Sequence, residues 1–205
     1  MIDTIILAGG LGTRSRSYLG GLPKCIAEIR GRPLLNYLLD DLSNQGIQRV
    51  CLALAHGREQ VLQHLGSPPR KIGNMEVHCD LDTEQRGTAG AVKHVLTARL
   101  ATDSPFEPPL LICNGDTLFK LDLSKIIAVH FSENAEYTTA VCSDVPVVRI
   151  LSEAAILKLK ESDEPSLEAL FPPNRGIVYR AALYCFVDVG TADGYRKAQT
   201  FRQWS

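Results

Sequence analysis

Short apolar runs alternate with amphipathic segments along most of the chain. The runs are rich in β-branched residues and end at glycine or polar residues, which is typical of buried strands in a parallel sheet. Strands are predicted in this way at residues 5–8, 27–29, 49–55, 76–79, 110–113 and 138–142. Because these strands alternate with helices at short intervals, the pattern predicts right-handed crossover units and an α/β fold.

The segments between these runs carry apolar residues at helical spacing. Five leucines between residues 34 and 42 share one face of a helix that starts at residues 31–33 and ends at Gly46. Further helices are predicted at residues 58–65, after residues 84–90, and at residues 123–134, 152–161 and 192–202. Loops are predicted at residues 66–73 and 105–109, turns at 168–175, and late strands at 176–179 and 183–189.

The composition is that of an ordinary globular chain. Its 205 residues suffice for one buried domain, 45% of them are hydrophobic, and the net charge is −1. Without a basic excess, nucleic acid is not an expected partner, and no apolar run approaches the roughly 20 residues that cross a bilayer. Since the chain enters its first strand at once, we expect no signal peptide, no membrane partner and a cytoplasmic protein.

Cysteine and histidine predict no chemistry. The six cysteines are scattered without a C-x-x-C pair, so we expect reduced thiols packed in the core. The five histidines show no spacing of zinc ligands.

A glycine-rich turn follows the first strand, in the stretch TIILAGGLGTRSRSYLGGLPK at residues 4–24. Gly9, Gly10 and Gly12 let the backbone approach an anion and point successive N–H groups at it. Arg14 adds a planar guanidinium and Lys24 a compact ammonium. The combination predicts a site for a polyphosphate, against the simpler alternative of a tight strand-to-helix turn without a ligand.

Two commoner phosphate-binding loops do not fit this turn. A P-loop needs a Gly-Lys pair, which the chain lacks. A dinucleotide-binding fingerprint that starts at Gly10 needs a third glycine at position 15, where the chain has Ser15.

Two acidic residues follow later strand-like runs, Asp116 in N-G-D-T and Asp188 in D-V-G-T. Ligands of open α/β sheets gather at the carboxyl ends of the strands, where both the glycine-rich turn and Asp116 are expected. Carboxylates are the usual protein ligands of Mg²⁺, so both residues are candidate metal ligands. The alternatives are a cap or turn residue for Asp116 and a turn residue for Asp188.

With these residues the chain resembles the sugar-1-phosphate nucleotidyltransferases. The signature is L-A-G-G-L-G-T-R at residues 7–14 with Pro23-Lys24, supported by G-T-A-G at residues 87–90. The chain is most similar to the bacterial D-glycero-D-manno-heptose 1-phosphate guanylyltransferases, continuously to about Cys142 and again near residues 166–199. The resemblance implies a Rossmann-like three-layer fold with a mixed, mostly parallel central sheet, of the nucleotide-diphospho-sugar transferase type.

The resemblance also implies a reaction. A sugar 1-phosphate attacks the α-phosphate of a nucleoside triphosphate, pyrophosphate leaves, and Mg²⁺ acts as a Lewis acid. GTP and heptose 1-phosphate are the preferred substrates, in nucleotide-sugar biosynthesis for capsule or lipopolysaccharide, and formation of a homo-oligomer is left open.

The same resemblance implies roles for individual residues. Arg14 would hold the leaving β,γ-phosphates with the backbone of residues 10–13, and Lys24 would reach the α-phosphate and the sugar phosphate. Catalysis is assigned to Arg14, Lys24 and Asp116, and metal binding to Asp116 and Asp188. Substrate binding is assigned to Lys24 and Asn114, and nucleotide binding to Leu7, Ala8, Gly9, Gly10, Gly12, Thr13, Arg14, Gly87, Thr88 and Gly115.

Three residues near the G-T-A-G turn are open to simpler interpretations. Thr88 can also cap the helix that starts there. Glu84 and Arg86 are interpreted as solvated loop charges.

The chain departs from the family after residue 142. Ser143–Val148 stand where relatives have a Glu-Lys-Pro segment and a later N-x-G-x-Y strand, and the chain contains no E-K-P. By comparison, about 25–30 residues are absent. We therefore expect one nucleotidyltransferase domain over residues 1–205, with a nucleotide-binding core at 1–142 and a shortened sugar-binding part at 143–205.

The missing segment keeps an alternative function open, that of a catalytically weak nucleotide-sugar-binding regulatory subunit with the same fold. Retention of Arg14, Lys24, Asp116 and Asp188 argues against it, since a binding module would not need them all. A molybdopterin nucleotidyltransferase has a shorter glycine-to-lysine interval. An NAD-binding oxidoreductase fits worst, because the third glycine is lacking.

Overall fold

The computed structural model describes residues 2–66, 70–181 and 186–200. The strands of these residues are β1 Asp3–Leu7, β2 Glu28–Ile29, β3 Arg32–Pro33, β4 Arg49–Leu54, β5 Arg70–Ile72, β6 Met75–Leu81, β7 Leu110–Asn114, β8 Thr117–Phe119, β9 Tyr137–Cys142, β10 Val145–Leu151, β11 Ile177–Arg180 and β12 Phe186–Asp188. The α-helices are α1 Arg16–Leu19, α2 Leu34–Asn44, α3 Arg58–Leu65, α4 Gly87–Leu100, α5 Leu123–Ser132, α6 Glu153–Glu161, α7 Leu167–Leu170 and α8 Ala192–Thr200.

Eight of these strands form one sheet in the order β11-β9-β10-β7-β1-β4-β6-β5. The strands β7, β1, β4 and β6 at its centre run parallel, and β11 is parallel to β9. Strand β10 is antiparallel to both of its neighbours, and β5 is antiparallel to β6. The mixed, mostly parallel sheet is therefore confirmed.

Helices cover both faces of the sheet. One apolar core joins the strands to α2, α3 and α5, and a second core joins the opposite face to α4, α6 and α7. Four of the five leucines of α2 lie in the first core, as their helical spacing predicts, and Leu34 lies in a smaller third core with residues of β8 and β12. Two helix layers around one sheet confirm the three-layer α/β fold.

Four of the strands were not predicted. Strand β3 lies at residues 32–33, where the sequence predicts the start of a helix. Strand β5 lies inside an expected loop, β8 follows the Asp116 turn, and β10 lies just after Cys142, where the resemblance was expected to end. Strands β9 and β10 are joined by Ser143 and Asp144, whose φ angles of 49° and 63° are those of a tight two-residue hairpin. A short turn thus follows Cys142, where the resemblance predicts a longer segment in relatives.

The cysteines differ from the expectation at one position. Cys25, Cys51, Cys79 and Cys113 are free thiols, and burial raises the pKa of Cys25 to about 12. Cys142, however, is disulfide-bonded, so the expectation of a reduced thiol is wrong there. Cys185 lies outside the described residues.

Among the described helices, none has both the length and the apolar character needed to cross a membrane.

Candidate active site

A cavity of about 330 Å³ opens at the carboxyl ends of β1, β4, β6 and β7. It extends from the turn after β7 to the start of α4. The lining residues used below are Leu7, Ala8, Gly9, Gly10, Lys24, Ala55, Asp80, Asp82, Glu84, Arg86, Gly87, Thr88, His94, Asn114, Gly115 and Asp116. A cleft at this edge of the sheet is where open α/β folds bind their ligands.

Two glycines bring the strand ends close together beneath this cavity. A Cβ on Gly9 would lie 2.8 Å from the backbone nitrogen of Ala55, and a Cβ on Gly115 would lie 3.0 Å from the carbonyl oxygen of Leu7. The N–H of Gly115 also donates to that carbonyl oxygen at 2.8 Å. Only glycine permits these approaches without a shift of the backbone. The cavity is therefore bounded on this side by main-chain atoms of the two turns.

The rest of the glycine-rich turn lies at the rim. Gly12 has a φ of 59° and its carbonyl oxygen accepts from the hydroxyl of Ser15 at 2.8 Å. Thr13 and Arg14 are exposed. On this side the cavity lining ends at Gly10, so Gly12, Thr13 and Arg14 border it from outside.

Lys24 reaches into the cavity from the short 3₁₀ helix Lys24–Ile26. Its Nζ lies 2.9 Å from Oδ2 of Asp116, and both side chains are partly buried. Pro23, just before it, packs against Gly57 so closely that a Cβ there would lie 2.5 Å from the proline Cγ. The start of α3 thus supports the backbone that carries Lys24.

The pairing of β8 with β12 brings Asp188 to the same place. Asp188 is opposite Thr117 in this antiparallel pair, directly beside Asp116. A Cβ on Gly190 would lie 2.8 Å from Oδ1 of Asp188, 3.0 Å from Nζ of Lys24 and 3.4 Å from Oδ2 of Asp116. Three charged side chains that are far apart in sequence therefore surround one glycine.

Tyr18 adds a contact that the sequence did not indicate, because nothing in its polar surroundings sets it apart. Its hydroxyl donates to the carbonyl oxygen of Val189 at 2.8 Å, which ties α1 to the turn after Asp188. Burial raises the pKa of Tyr18, and the negative charges of Asp188 and Asp116 raise it further. The positive charges of Lys24 and Arg14 lower it, but the net shift is upward.

The G-T-A-G turn begins α4, with Arg86 before its first residue and no side-chain cap. The interpretation of Thr88 as the helix cap is therefore wrong. Its Oγ1 instead accepts from the N–H of Leu167 at 2.8 Å, and the N–H of Ala89 donates to the carbonyl oxygen of Pro165 at 2.9 Å. The turn is thus fastened to the C-terminal part of the chain.

Charged residues at the end of β6 line the cavity as well, and the sequence interpretation passed over them. Glu84 and Arg86 belong to the lining, and both are exposed loop charges, as the sequence predicts. Asp82 accepts from the N–H of Glu84 at 2.8 Å and from Nε of Arg86 at 2.9 Å. Burial would raise the pKa of Asp82, but the Glu84 N–H and the charges of His94 and Arg86 lower it.

Asp116 and Asp188 have the donor chemistry that suits Mg²⁺. The ion prefers oxygen ligands and is commonly held by one or two carboxylates together with substrate phosphates and water. One oxygen of each carboxylate lies near the position that a Cβ on Gly190 would take, at the edge of the cavity, so the pair fits a metal that is shared with a bound phosphate. The described residues hold no cluster of three or more histidine, cysteine or acidic side chains suited to a metal.

Comparisons with known proteins agree with this architecture. Residues 3–150 match the family described as Nucleotidyl transferase. The chain is 30% identical to the D-glycero-alpha-D-manno-heptose 1-phosphate guanylyltransferase of Aneurinibacillus thermoaerophilus, over 97% of each chain. It is 32% identical to the enzyme of the same name from Campylobacter jejuni, over 61% of this chain and 52% of that one.

A solved structure is similar over almost the whole chain. HddC from Yersinia pseudotuberculosis, crystallised with GMP-PN, matches with a TM-score of 0.76 and 26% identity, over 98% of this chain and 99% of that one. The alignment with the Aneurinibacillus enzyme runs over 233 residues, against 205 in this chain. That relative therefore has segments without a counterpart here, in keeping with the two-residue turn between β9 and β10.

Proposed function

This chain belongs to the nucleotidyl transferase family, and we propose that it transfers the guanylyl group of GTP to a heptose 1-phosphate, with Mg²⁺ as its metal and pyrophosphate as the second product. The observation that carries the proposal is the meeting of Lys24, Asp116 and Asp188 around Gly190, at the edge of the cavity of about 330 Å³. The choice of GTP and heptose follows the relatives that match over nearly the whole chain.

The residues present can perform such a transfer. The attacking oxygen of a sugar phosphate is already an anion, so the site needs to hold two negative reactants in line and to neutralise charge as it develops. Lys24 would supply a positive charge beside the α-phosphate, and Asp116 and Asp188 would hold the metal. Bound Mg²⁺ would polarise the phosphoryl oxygens as a Lewis acid.

The remaining assignments follow the shape of the cavity. The main chain of residues 7–10 and the turn at Gly87 and Thr88 would hold the nucleoside, with Asn114 and Gly115 beside the phosphates. Arg14, with Gly12 and Thr13 at the rim, would contact the leaving phosphates. The proposal places the reaction in the cytoplasm, where nucleoside triphosphates are available.

The shortened part after residue 142 does not remove any of these groups. We propose that residues 143–205 still form the sugar side of one domain, since β12 supplies Asp188 and residues 165–167 fasten the G-T-A-G turn. A catalytically weak regulatory subunit is not favoured, because the relatives that match are guanylyltransferases.

A panel of substrates tests the proposal. Purified protein with Mg²⁺ is given GTP, ATP, UTP, CTP or dTTP against heptose, mannose and glucose 1-phosphates, and pyrophosphate and the nucleotide sugar are measured. We expect turnover with GTP and heptose 1-phosphate, its loss with a chelator and its return with added Mg²⁺. Triphosphate binding without turnover of any pair would contradict the proposal and support the regulatory subunit.

A further inference from the structure

The peptide group between Val189 and Gly190 is hydrogen-bonded on both of its sides. Its N–H, on Gly190, donates to Oδ1 of Asp188 at 2.6 Å. Its carbonyl oxygen, on Val189, accepts from the hydroxyl of Tyr18 at 2.8 Å. Because a peptide group is planar, the tyrosine that holds the carbonyl oxygen also sets the direction in which the N–H points. The orientation of the Asp188 carboxylate is therefore linked to Tyr18 through one rigid group.

The backbone of Val189 also connects the two candidate metal ligands. Its N–H donates to the carbonyl oxygen of Asp116 at 3.0 Å, which fixes the turn after β12 to the turn after β7. Gly194 of α8 approaches the same turn, and a Cβ there would overlap the carbonyl oxygen of Asp188. Among these contacts, that of Tyr18 depends on a single hydroxyl, which a substitution can remove without altering the backbone.

Tyr18 acts on this turn from outside the cavity. The described lining of the cavity does not include Tyr18, and its half-buried ring packs against the ring of Tyr195 on α8, with centroids 5.6 Å apart. Its hydroxyl is thus directed at the backbone of the turn. Helix α1 directly follows the 3₁₀ helix Thr13–Ser15 of the glycine-rich turn, so the bond joins the N-terminal and C-terminal parts of the site.

Metal ligands depend on the groups that hold them. A carboxylate that binds a metal is itself hydrogen-bonded, and loss of such an outer partner typically lowers metal affinity or activity about 10- to 100-fold. For Asp188 this partner is the N–H of Gly190, and Tyr18 holds the other side of the same peptide group.

We propose that Tyr18 is a positioning residue for the metal. Its hydroxyl holds the peptide group between Val189 and Gly190, so that the Gly190 N–H keeps the Asp188 carboxylate in the orientation that binds Mg²⁺ together with Asp116. The proposal rests on the proposed function, because the metal belongs to that site. The alternative is a purely structural role, in which the bond only fastens α1 to the turn after β12.

Metal binding without turnover tests the proposal directly. Mn²⁺ is the probe, and its free concentration is measured by EPR during titration of the purified protein to millimolar metal, without nucleotide or sugar phosphate. The wild type is compared with Tyr18→Phe, which removes only the hydroxyl. We expect the variant to bind Mn²⁺ about tenfold more weakly. Asp188→Asn identifies the site, because it should abolish the Mn²⁺ binding that Tyr18→Phe weakens.

Tyr195→Phe is the matched control. The hydroxyl of Tyr195 also donates to a backbone carbonyl oxygen, that of Glu28 at 3.0 Å, and the phenylalanine ring can still pack against Tyr18. Each variant therefore loses one hydroxyl-to-carbonyl bond, and urea titrations should give similar free energies of unfolding for the two. Only Tyr18→Phe should weaken the binding of Mn²⁺.

Turnover gives a second measurement. In assays of pyrophosphate release over a range of Mg²⁺ concentrations, Tyr18→Phe should need about tenfold more Mg²⁺ for its half-maximal rate. Its kcat at saturating Mg²⁺ should come within severalfold of the wild-type value, because the groups that contact the phosphates are unchanged. A structural defect of the turn would not be restored by added metal.

The outcomes separate this proposal from the proposed function. Equal Mn²⁺ affinities of Tyr18→Phe and the wild type, or a loss of rate that saturating Mg²⁺ does not restore, would overturn the positioning role. If Tyr18→Phe weakens the Mn²⁺ binding that depends on Asp188 but the wild type turns over no pair of substrates, the role of Tyr18 stands and the proposed function fails. If no Mn²⁺ binding depends on Asp188, the metal site is refuted and the role of Tyr18 with it.

Discussion

Lys24 is the residue on which the proposed chemistry most depends. Its ammonium lies 2.9 Å from Asp116 and 3.0 Å from the position that a Cβ on Gly190 would take, so it stands among the groups proposed to hold the reacting phosphates. The backbone just before it is supported by the close contact between Pro23 and Gly57. Lys24 would therefore place a fixed positive charge beside the negative charge that develops on the reacting phosphates.

Lys24→Met should therefore lower kcat far more than it changes KM for GTP. Loss of one preorganised charge at a transition state costs about 2.7–4 kcal/mol, so we expect kcat to fall about 100- to 1000-fold. Steady-state kinetics of pyrophosphate release measure the change. The exposed Lys71→Met is the matched control, and a kcat within severalfold of wild type in Lys24→Met would refute the role of this charge.

Some residues of the candidate site could be predicted from the sequence, and others could not. The glycine-rich turn, Lys24, Asp116 and Asp188 stand out from their types and spacing, although only the fold brings Asp188 to Asp116. Asp80 and Tyr18 carried no comparable signal. Their position in the site follows from where β6 ends and from a contact between α1 and the turn after β12, and both are set by tertiary packing.

At the scale of elements, the start of α3 positions the loop that carries Lys24. Gly57 has a φ of 71°, and a Cβ there would collide with the ring of Pro23. Gly46 has a similar φ of 82° after α2, but a Cβ there would meet open space. The two glycines therefore have similar backbone conformations but different contacts, because only Gly57 packs against the residue that precedes Lys24.

Comparison of Gly57→Ala with Gly46→Ala tests this support. Both variants force a left-handed conformation on alanine, so each should lose about 1–2 kcal/mol of unfolding free energy in urea titrations, and Gly57→Ala should lose more because its Cβ collides with Pro23. Only Gly57→Ala should also displace Pro23 and lower kcat, by an expected tenfold or so. Equal kcat values in the two variants would show that α3 does not position Lys24.

The elements themselves were predictable where the pattern was strong. The strands β1, β4, β6, β7 and β9 and the helices α2 to α5 follow from apolar runs and helical spacing. Strands β5 and β8 are three residues long, too short for periodicity to show. Strand β10 contains Pro146, which argues against a strand in sequence, and it exists because β7 and β9 pair with it on both sides.

At the scale of the whole molecule, buried histidines make stability depend on pH. Burial lowers the pKa of His130, whose Nδ1 lies 2.9 Å from Oγ1 of Thr138, and it lowers the pKa of His78 in the same way. In the unfolded chain histidine titrates near pH 6.5, so the unfolded state binds more protons as the pH falls through that value. The stabilisation is present above about pH 6.5 and is lost below it.

We therefore expect the free energy of unfolding to decrease between about pH 7.5 and 5.5, before carboxylates begin to titrate. Urea titrations at several pH values measure the slope. His130→Gln removes one of the two groups, so its slope should be smaller. An unchanged slope in this variant would show that His130 does not contribute to it.

Across the whole molecule, we propose that β7, β8 and β12 bring Asp116 and Asp188 together to hold the metal at a nucleotidyl-transfer site. The most direct measurement is pyrophosphate release from GTP and heptose 1-phosphate with Mg²⁺, for the wild type, Asp116→Asn, Asp188→Asn and the exposed control Asp103→Asn. We predict turnover by the wild type and the control, and a loss of about 100-fold or more in each of the other variants. Wild-type rates in folded Asp116→Asn or Asp188→Asn would show that these carboxylates do not hold a metal that the reaction needs.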